Sequence, residues 1–252
     1  MSLKKNTRKE ERPELTIVIP VFNEIGNVES LTSEIERALA GSLRFEIVFV
    51  NDSSDDGTLE ALKVLKSQKS YLRVFTHKKR YGQSAAILTG VRVAKASLVA
   101  TLDGDGQNNP RDLTKLYDVY VNSSGKDNKL MICGYRSKRQ DNFIKVLSSK
   151  VANSIRSKLL RDGTIDTGCG IKLFRAQDFL DLPIFDHMHR FLPALILRDG
   201  GRIISTEVVH RSRGQGNSKY GLFDRLWVGI IDICGVMWLK RRKINVEVDE
   251  LE

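Results

Sequence analysis

Acidic side chains that could bind a metal ion follow an apolar run late in the first half of this 252-residue chain. Asp103 and Asp105 are separated by one residue directly after the run Leu98–Leu102. A turn can aim two such carboxylates at one divalent cation, and hard oxygen ligands suit Mg²⁺ or Mn²⁺. Gln107 can add a third oxygen. The alternative is a solvated acidic turn, because Asp and Gly are favoured turn residues.

Other carboxylates follow earlier apolar runs. Asp52 can accept hydrogen bonds from a ribose hydroxyl or a base N–H, or it can form a helix N-cap or Asx-turn. For Asp55 and Asp56 we favour the cap or turn. Glu24 either contacts a ligand or stabilises the next helix through its macrodipole.

The elements that must position these loops alternate between strand and helix. Apolar β-rich runs predict strands that are buried on both faces, and apolar residues at three- and four-residue spacing predict helices between them. The predicted strands are Leu15–Val21, Phe45–Val50, Leu72–Thr76 and Leu98–Leu102, and the predicted helices are Val28–Leu39, Thr58–Lys66 and Ser84–Ala94. This order indicates an α/β fold with a mostly parallel sheet, whose ligands bind at the carboxyl ends of the strands. We therefore expect the polar loops to share one rim.

The second half is less regular. Its patterns predict a helix over 144–160, a strand near 171–174, a helix around 191–197 and a strand over 202–209. No linker or repeat divides the region, so we expect one domain over 15–221, after a charged, disordered arm at 1–14.

The composition narrows the class of protein. A net charge of +10 predicts an anionic partner, such as nucleic acid, a membrane surface or a phosphorylated substrate. Three cysteines in no CxxC pair indicate neither a disulfide framework nor a zinc site. Without a signal peptide or an apolar run of ~20 residues, we expect an intracellular protein with no membrane span. Dinucleotide-binding G-x-G-x-x-G, P-loop and G-x-S-x-G motifs are absent from the sequence.

Six motifs in a fixed order carry a family resemblance. They are PVFNE (20–24), NDSSDDGT (51–58), RYGQSAAILTG (80–90), DGDGQNNP (103–110), DTGCGIKLFR (166–175) and SRGQGNSKYG (212–221). Together they resemble family 2 glycosyltransferases, and most closely the polyprenyl-phosphate branch that includes dolichyl-phosphate mannose synthase. The resemblance implies a GT-A, Rossmann-like fold, a nucleotide-diphosphate sugar donor, a Mg²⁺ or Mn²⁺ cofactor and a polyprenyl phosphate acceptor.

The resemblance also implies site residues. The nucleotide sugar would be bound by Pro20, Phe22, Glu24, Asp52 and Asp103, and the metal by Asp103, Asp105 and Gln107. The diphosphate would be clamped by Arg213 and Lys219, although one inserted residue leaves Arg211 as an alternative to Arg213. The acceptor phosphate would be bound by Arg136, Lys145 and Ser149.

The acceptor decides whether a general base is needed. A phosphate monoester, with a second pKa of ~6, is already an oxyanion at neutral pH, whereas a sugar hydroxyl must lose a proton to a carboxylate. Asp166 is the candidate base, and its alternative role is to order the turn at 167–170. His189 and Arg190 either contact the acceptor phosphate or diphosphate, or serve helix capping and surface packing.

The carboxyl end carries an apolar helical face. Its residues are Leu222, Phe223, Leu226, Trp227, Ile230, Ile231, Cys234, Met237 and Trp238, and the basic run at 240–243 follows. This pattern predicts an amphipathic helix and charged tail over 222–252 at a membrane interface. The alternative is a helix packed on the catalytic domain or on a second copy of the chain.

The hypothesis is a metal-dependent, inverting transfer of a sugar from a UDP- or GDP-sugar to a polyprenyl phosphate. We expect a cytoplasmic protein, peripherally bound to the membrane, that can form a homo-oligomer. One rival is a glycosyltransferase of the same fold acting on a saccharide or protein hydroxyl. Another is a non-catalytic nucleic-acid-binding protein, against which the acidic rim and an aromatic content of 7% argue.

Overall fold

The computed structural model describes residues 12–125, 129–137, 156–211 and 222–243, with side chains in the last range described from Gly229 onward. Its strands are β1 Leu15–Val21, β2 Phe45–Asn51, β3 Leu72–Thr76, β4 Leu98–Thr101, β5 Leu130–Arg136, β6 Lys172–Arg175 and β7 Arg202–Val208. Its helices are α1 Val28–Leu39, α2 Thr58–Gln68, α3 Gln83–Arg92, α4 Asp112–Ser123, α5 Ala176–Leu180, α6 Leu192–Arg198 and α7 Leu222–Arg241. A 3₁₀ turn covers Met188–Arg190, and residues 156–160 are helical.

The strands form one sheet in the order β3-β2-β1-β4-β6-β5-β7. Strand β1 is parallel to β2 and β4, β2 is parallel to β3, and β5 is parallel to β7. Strand β6 is antiparallel to both of its neighbours, β4 and β5. The beginning of β6 therefore lies at the same edge of the sheet as the carboxyl ends of the other strands.

Both faces of the sheet are covered, which explains the continuous apolar runs in its strands. Along β1, Ile17 and Ile19 belong to a core cluster with side chains of α1, α2 and α4. Val18 points to the opposite face, as the two-residue period of a strand requires, and belongs to a cluster with α3, α5, α6 and Val236 of α7. The sheet is thus the middle layer of three.

The structure confirms the predicted α/β class and most element bounds. The predicted bounds of β1, β3 and α1 match those observed, and the other early elements differ by one or two residues. Helices α4 and α5 and the antiparallel direction of β6 were not predicted. Of the helix predicted over 144–160, only residues 156–160 are described, and they are helical.

The ends of the chain are described only in part. Most of the predicted arm at 1–14 lies outside the described residues, but the Glu14 N–H donates to the Arg44 carbonyl at 2.7 Å. Among the helices that the structure describes, none combines the length and apolarity needed to cross a membrane.

Candidate active site

Segments at one edge of the sheet bring the predicted site residues together. Loops leave the carboxyl ends of β1, β2, β3 and β4 there, Arg136 ends β5, and the segment 166–171 leads into β6. The Asp103 loop lies against the end of β1, since a Cβ on Gly104 would lie 2.6 Å from a Val21 methyl and 3.1 Å from the Pro20 carbonyl oxygen. The structure therefore places the nucleotide and metal candidates on a common rim.

The Asp103 carboxylate is held between two other segments. Gln83, the first residue of α3, donates its side-chain N–H to Asp103 Oδ1 at 2.9 Å. On the other side, a Cβ built on Gly170 would lie 2.0 Å from Asp103 Oδ2, so the carboxylate occupies space that any other residue type would fill. Two residues on, Asp105 Oδ1 accepts the backbone N–H of Gln107 at 3.1 Å.

The surroundings of the acidic loop disfavour the charged form of Asp103. Burial and the neighbouring charge of Asp105 raise the pKa of Asp103 from 3.8 to about 6. The charges of Lys172 and Arg136 and the Gln83 hydrogen bond act in the opposite direction but do not cancel the rise. The folded protein thus places two carboxylates where a nearby cation would stabilise their charged forms.

These residues fit a divalent metal ion. Within the described ranges, no cluster of three or more His, Cys, Asp or Glu side chains could hold a metal ion. Mg²⁺ needs no such cage, because it is usually bound by one or two carboxylates together with substrate phosphates and water. The oxygen donors of Asp103 and Asp105, and the cradle at Gly170, are compatible with that mode. The backbone of Gln107 contacts Asp105 through its N–H and Arg211 through its carbonyl.

Asp52 organises the loop between β3 and α3. Its buried carboxylate accepts the backbone N–H groups of Tyr81 at 2.8 Å and Gly82 at 2.7 Å, and His77 Nδ1 lies 2.7 Å from Oδ1. The other ring nitrogen of His77 lies 3.0 Å from Thr89 Oγ1. Gly82 has a φ of 90°, which favours glycine at this turn into α3. Asp52 is therefore linked through Gly82 to Gln83 and so to the Asp103 loop.

The loop after β1 is braced against the loop after β2. Asn23, at a φ of 56°, donates its side-chain N–H to Asp55 Oδ1 at 2.7 Å, and its own Oδ1 accepts the Asp55 backbone N–H at 3.0 Å. Asp56 accepts the Thr58 N–H at 3.0 Å, whereas the N-cap of α2 is Gly57, without a side-chain cap. Asp56 thus has the turn role predicted for it. Asp55 has a structural role too, but as a brace between loops rather than as a cap.

Of the remaining nucleotide candidates, Phe22 and Glu24 lie in the loop after β1, and Pro20 lies in the strand itself. Phe22 carries the Arg80 guanidinium 4.0 Å above its ring centroid, and Glu24 Oε2 accepts the Asn27 side-chain N–H at 2.7 Å, just before α1. Pro20 is part of β1 and pairs with Val50 in the register of β2.

The buried Asp166 and the partly buried Arg136 form a bidentate ion pair. Arg136 Nε lies 2.6 Å from Asp166 Oδ2, and Nη2 lies 2.9 Å from Oδ1. The backbone N–H groups of Arg136 and Gly168 donate to the same carboxylate at 3.3 and 3.2 Å. Asp166 therefore orders the turn before β6, as its alternative role predicts, and it holds Arg136 at the rim.

His189 packs against the start of α3. Its Nδ1 lies 2.7 Å from Ser84 Oγ, and its backbone N–H donates to the same oxygen at 3.2 Å. Burial, followed by the nearby charge of Arg190, lowers the pKa of His189 well below its usual range. The surroundings of His189 thus favour its neutral form.

The chain after β7 runs beside the acidic loop. The backbone N–H of Arg211 donates to the Gln107 carbonyl at 2.9 Å, and its guanidinium contacts Glu34 at 2.6 Å and Asn109 at 2.7 Å. The side chain of Arg211 thus binds α1 and the acidic loop. The other predicted basic and acceptor-side residues lie outside the described residues: Lys145, Ser149, Arg213 and Lys219.

Four residues of the site are not predicted from the sequence. Gln83, Gly170, His77 and Arg80 each touch a predicted site residue from a distant part of the chain. Three of them lie within quoted motifs: Arg80 and Gln83 within 80–90, and Gly170 within 166–175.

Solved structures share the fold of this protein. The structure resembles solved glucosyl-3-phosphoglycerate synthases from Mycobacterium tuberculosis: one complex with Mn²⁺, UDP and phosphoglyceric acid has a TM-score of 0.65 at 15% identity, covering 92% of this chain and 80% of that one. Another, with Mg²⁺ and UDP, has a TM-score of 0.64 at 14% identity, covering 90% and 79%. The predicted GT-A glycosyltransferase fold is thereby confirmed.

Sequence comparison gives the family. The profile described as glycosyl transferase family 2 matches residues 16–182, more than half of the chain, so the protein belongs to that family and is a glycosyltransferase. Family membership favours the enzyme hypothesis over a non-catalytic nucleic-acid-binding protein.

Two curated relatives indicate the branch. A dodecaprenyl-phosphate galacturonate synthase from Rhizobium johnstonii is 32% identical over 235 residues, covering 91% of this chain and 68% of the relative. An undecaprenyl-phosphate 4-deoxy-4-formamido-L-arabinose transferase from Aeromonas hydrophila is 31% identical over 210 residues, covering 82% and 63%. The chain thus spans about two thirds of the length of these relatives, which are named as polyprenyl-phosphate glycosyltransferases.

Proposed function

We propose that this glycosyltransferase moves a sugar from a UDP- or GDP-sugar to a polyprenyl phosphate at the cytoplasmic face of a membrane. The observation that carries the proposal is the carboxylate pair Asp103 and Asp105, which shares a rim with Asp52 at the carboxyl ends of the strands. The polyprenyl-phosphate names of the relatives support the acceptor class.

In this proposal, residues of the rim hold the donor. Asp103, Asp105 and Gln107 would bind Mg²⁺ or Mn²⁺, which when bound supplies Lewis acidity and neutralises diphosphate charge. Pro20, Phe22, Glu24 and Asp52 would line the nucleotide pocket. Arg213 and Lys219 would clamp the diphosphate. The commitment of the Arg211 guanidinium to Glu34 and Asn109 favours Arg213 for that role.

The transfer is a single displacement with inversion. An acceptor phosphate oxygen attacks the anomeric carbon, the bond between that carbon and the diphosphate oxygen breaks, and the nucleoside diphosphate leaves with the electron pair. A phosphate monoester is already an oxyanion at neutral pH, so no protein group has to remove a proton. The task of the rim is to orient the two substrates and to screen their charges.

The Asp166 contacts favour a phosphate acceptor over a hydroxyl. A carboxylate offers about four lone-pair positions, and Asp166 accepts four hydrogen bonds from Arg136 and Gly168. A base would have to give up one of them to reach a substrate hydroxyl. Two of the five side-chain N–H donors of Arg136 bind Asp166, and the others can bind phosphate oxygens. We assign Arg136, Lys145, Ser149 and Arg190 to the acceptor side, with His189 as a neutral neighbour.

Helix α7 supports contact with a membrane. One side of it packs on the core through the buried Val236, and Asp232 lies 3.1 Å from His187. Ile230, Ile231 and Trp238 are 46%, 68% and 60% exposed. Exposed basic residues at 241–243 follow, a combination that suits anionic headgroups. We therefore propose a catalytic unit at 15–221 and a peripheral membrane contact within 222–252.

The experiment compares a phosphate acceptor with two hydroxyl acceptors. The protein is incubated with labelled UDP- and GDP-sugars, Mn²⁺ or Mg²⁺, and a polyprenyl phosphate, the matching polyprenol or a soluble saccharide. We expect label in the organic phase with the polyprenyl phosphate alone. Label in the polyprenol or the saccharide, with none in the lipid phosphate, would replace the proposal by the hydroxyl-acceptor alternative.

A further inference from the structure

We propose that Gly170 is a positioning residue for the metal site: its missing side chain sets the place of the Asp103 carboxylate. The inference rests on the metal role proposed above for Asp103. It goes further by assigning a function to a residue that binds neither substrate nor metal.

The contact is too close for any side chain at position 170. A Cβ there would lie 2.0 Å from Asp103 Oδ2, 2.2 Å from Cγ and 2.5 Å from Oδ1, far inside the normal contact distance. The whole carboxylate therefore lies against the Gly170 Cα. Gly170 has no positive φ, so close approach, rather than backbone conformation, requires glycine here.

The backbone around Gly170 is fixed. The Cys169 carbonyl accepts from Lys172 Nζ, the Gly170 carbonyl accepts from Thr101 Oγ1 at 2.7 Å, and the Ile171 carbonyl accepts from the Gly134 N–H at 3.0 Å. Three consecutive carbonyls are thus tied to β4, β5 or β6. The segment cannot retreat from an added methyl group without breaking these bonds.

The group that must give way is the Asp103 side chain. It is the flexible partner, and Gln83 holds it from the opposite side at 2.9 Å. A methyl group at position 170 would therefore displace the carboxylate from its place beside Asp105, while the strands keep their register. We expect a folded protein with a misplaced metal ligand.

The test uses Gly170→Ala with Gly125→Ala as the matched control, since a Cβ on Gly125 would meet nothing within 4 Å. Mn²⁺ alone is titrated into each protein by electron paramagnetic resonance. We expect the Kd for Mn²⁺ to rise at least tenfold in Gly170→Ala and to stay unchanged in Gly125→Ala. A wild-type Kd in Gly170→Ala would overturn the inference.

Two further measurements separate this inference from the proposed function. If the wild-type protein binds no Mn²⁺, either alone or with UDP or GDP present, the metal role fails. A metal-free crystal structure of Gly170→Ala then decides whether Gly170 sets the place of the Asp103 carboxylate: a displaced Asp103 supports this, and an unmoved one overturns it. If Gly170→Ala does not fold, the double variant with Asp103→Ala decides. Truncating Asp103 makes room for the methyl group, so recovery of folding supports the inference, and failure to recover overturns it.

Discussion

Replacing Asp103 with Asn should stabilise the metal-free protein while removing its response to metal. The amide has the same shape as the carboxylate, so it fits against Gly170 and still accepts from Gln83. What it removes is a negative charge that the fold holds beside Asp105. A site that binds a cation is destabilised by its own negative charges when the cation is absent.

The raised pKa of Asp103 sets the size of the effect. A rise from 3.8 to about 6 corresponds to roughly 3 kcal/mol at neutral pH. Because Asp103 is only partly shielded from solvent, we expect about 1–2 kcal/mol. In a protein of this size, that amounts to an increase in Tm of about 2–8 °C.

The pH dependence has a definite sign. A carboxyl group whose pKa is higher in the folded than in the unfolded protein favours folding most when protonated, below its unfolded pKa. As pH rises from about 4 to 6, the unfolded chain gives up its proton first and wild-type stability falls. The advantage of Asp103→Asn should therefore appear over this range, persist at higher pH and vanish below about pH 4.

The assay is thermal unfolding in EDTA and in Mn²⁺, from pH 4 to 8, with the exposed Asp118→Asn as control. In EDTA at pH 7.5, Asp103→Asn should have the higher Tm. In Mn²⁺, wild type should gain stability by binding and Asp103→Asn should not. A variant that is equally or less stable than wild type in EDTA at pH 7.5 would refute the electrostatic argument.

Three further changes probe other contacts. Asp166→Asn should lower the free energy of unfolding by about 3 kcal/mol, because it leaves the Arg136 side chain, which is only 11% exposed, without its charge partner. Urea denaturation measures this free energy, and an unchanged value would contradict the pairing. Asp52→Ala should raise the donor KM at least tenfold, with a smaller effect on kcat, because the Tyr81 and Gly82 N–H groups lose their acceptor. Initial-rate kinetics measure both constants, and a wild-type KM would contradict this prediction. Trp238→Ser should weaken sedimentation with anionic vesicles without changing Tm, because this side chain is 60% exposed; unchanged sedimentation would argue against a membrane role for α7.

The sequence predicts the elements whose patterns are local. Strand β1 is a continuous apolar run, and α1 buries Val28, Leu31, Ile35 and Leu39 at helical spacing, so their bounds match the prediction. Helix α4 was missed because Tyr117, Val119, Tyr120 and Val121 give it a strand-like composition.

The sequence predicts which loops form the site, but not the side-chain contacts between them. The ends of parallel strands bring Asp52 and Asp103 to one rim, and strand order along the chain is enough to predict this. The contacts between Asp166 and Arg136 and between Gly170 and Asp103 join positions far apart in sequence. They depend on β6 running antiparallel between β4 and β5, a direction that no local pattern specifies.

The most direct test of the central claim is metal-dependent transfer into a lipid phosphate with and without the Asp105 carboxylate. Wild type, Asp105→Ala and the control Asp118→Ala are supplied with labelled nucleotide sugar and polyprenyl phosphate, in Mn²⁺ or in EDTA. We expect organic-phase label from wild type and the control in Mn²⁺ only, and at least a hundredfold less from Asp105→Ala. Transfer that continues in EDTA, or at the wild-type rate in Asp105→Ala, would contradict the account.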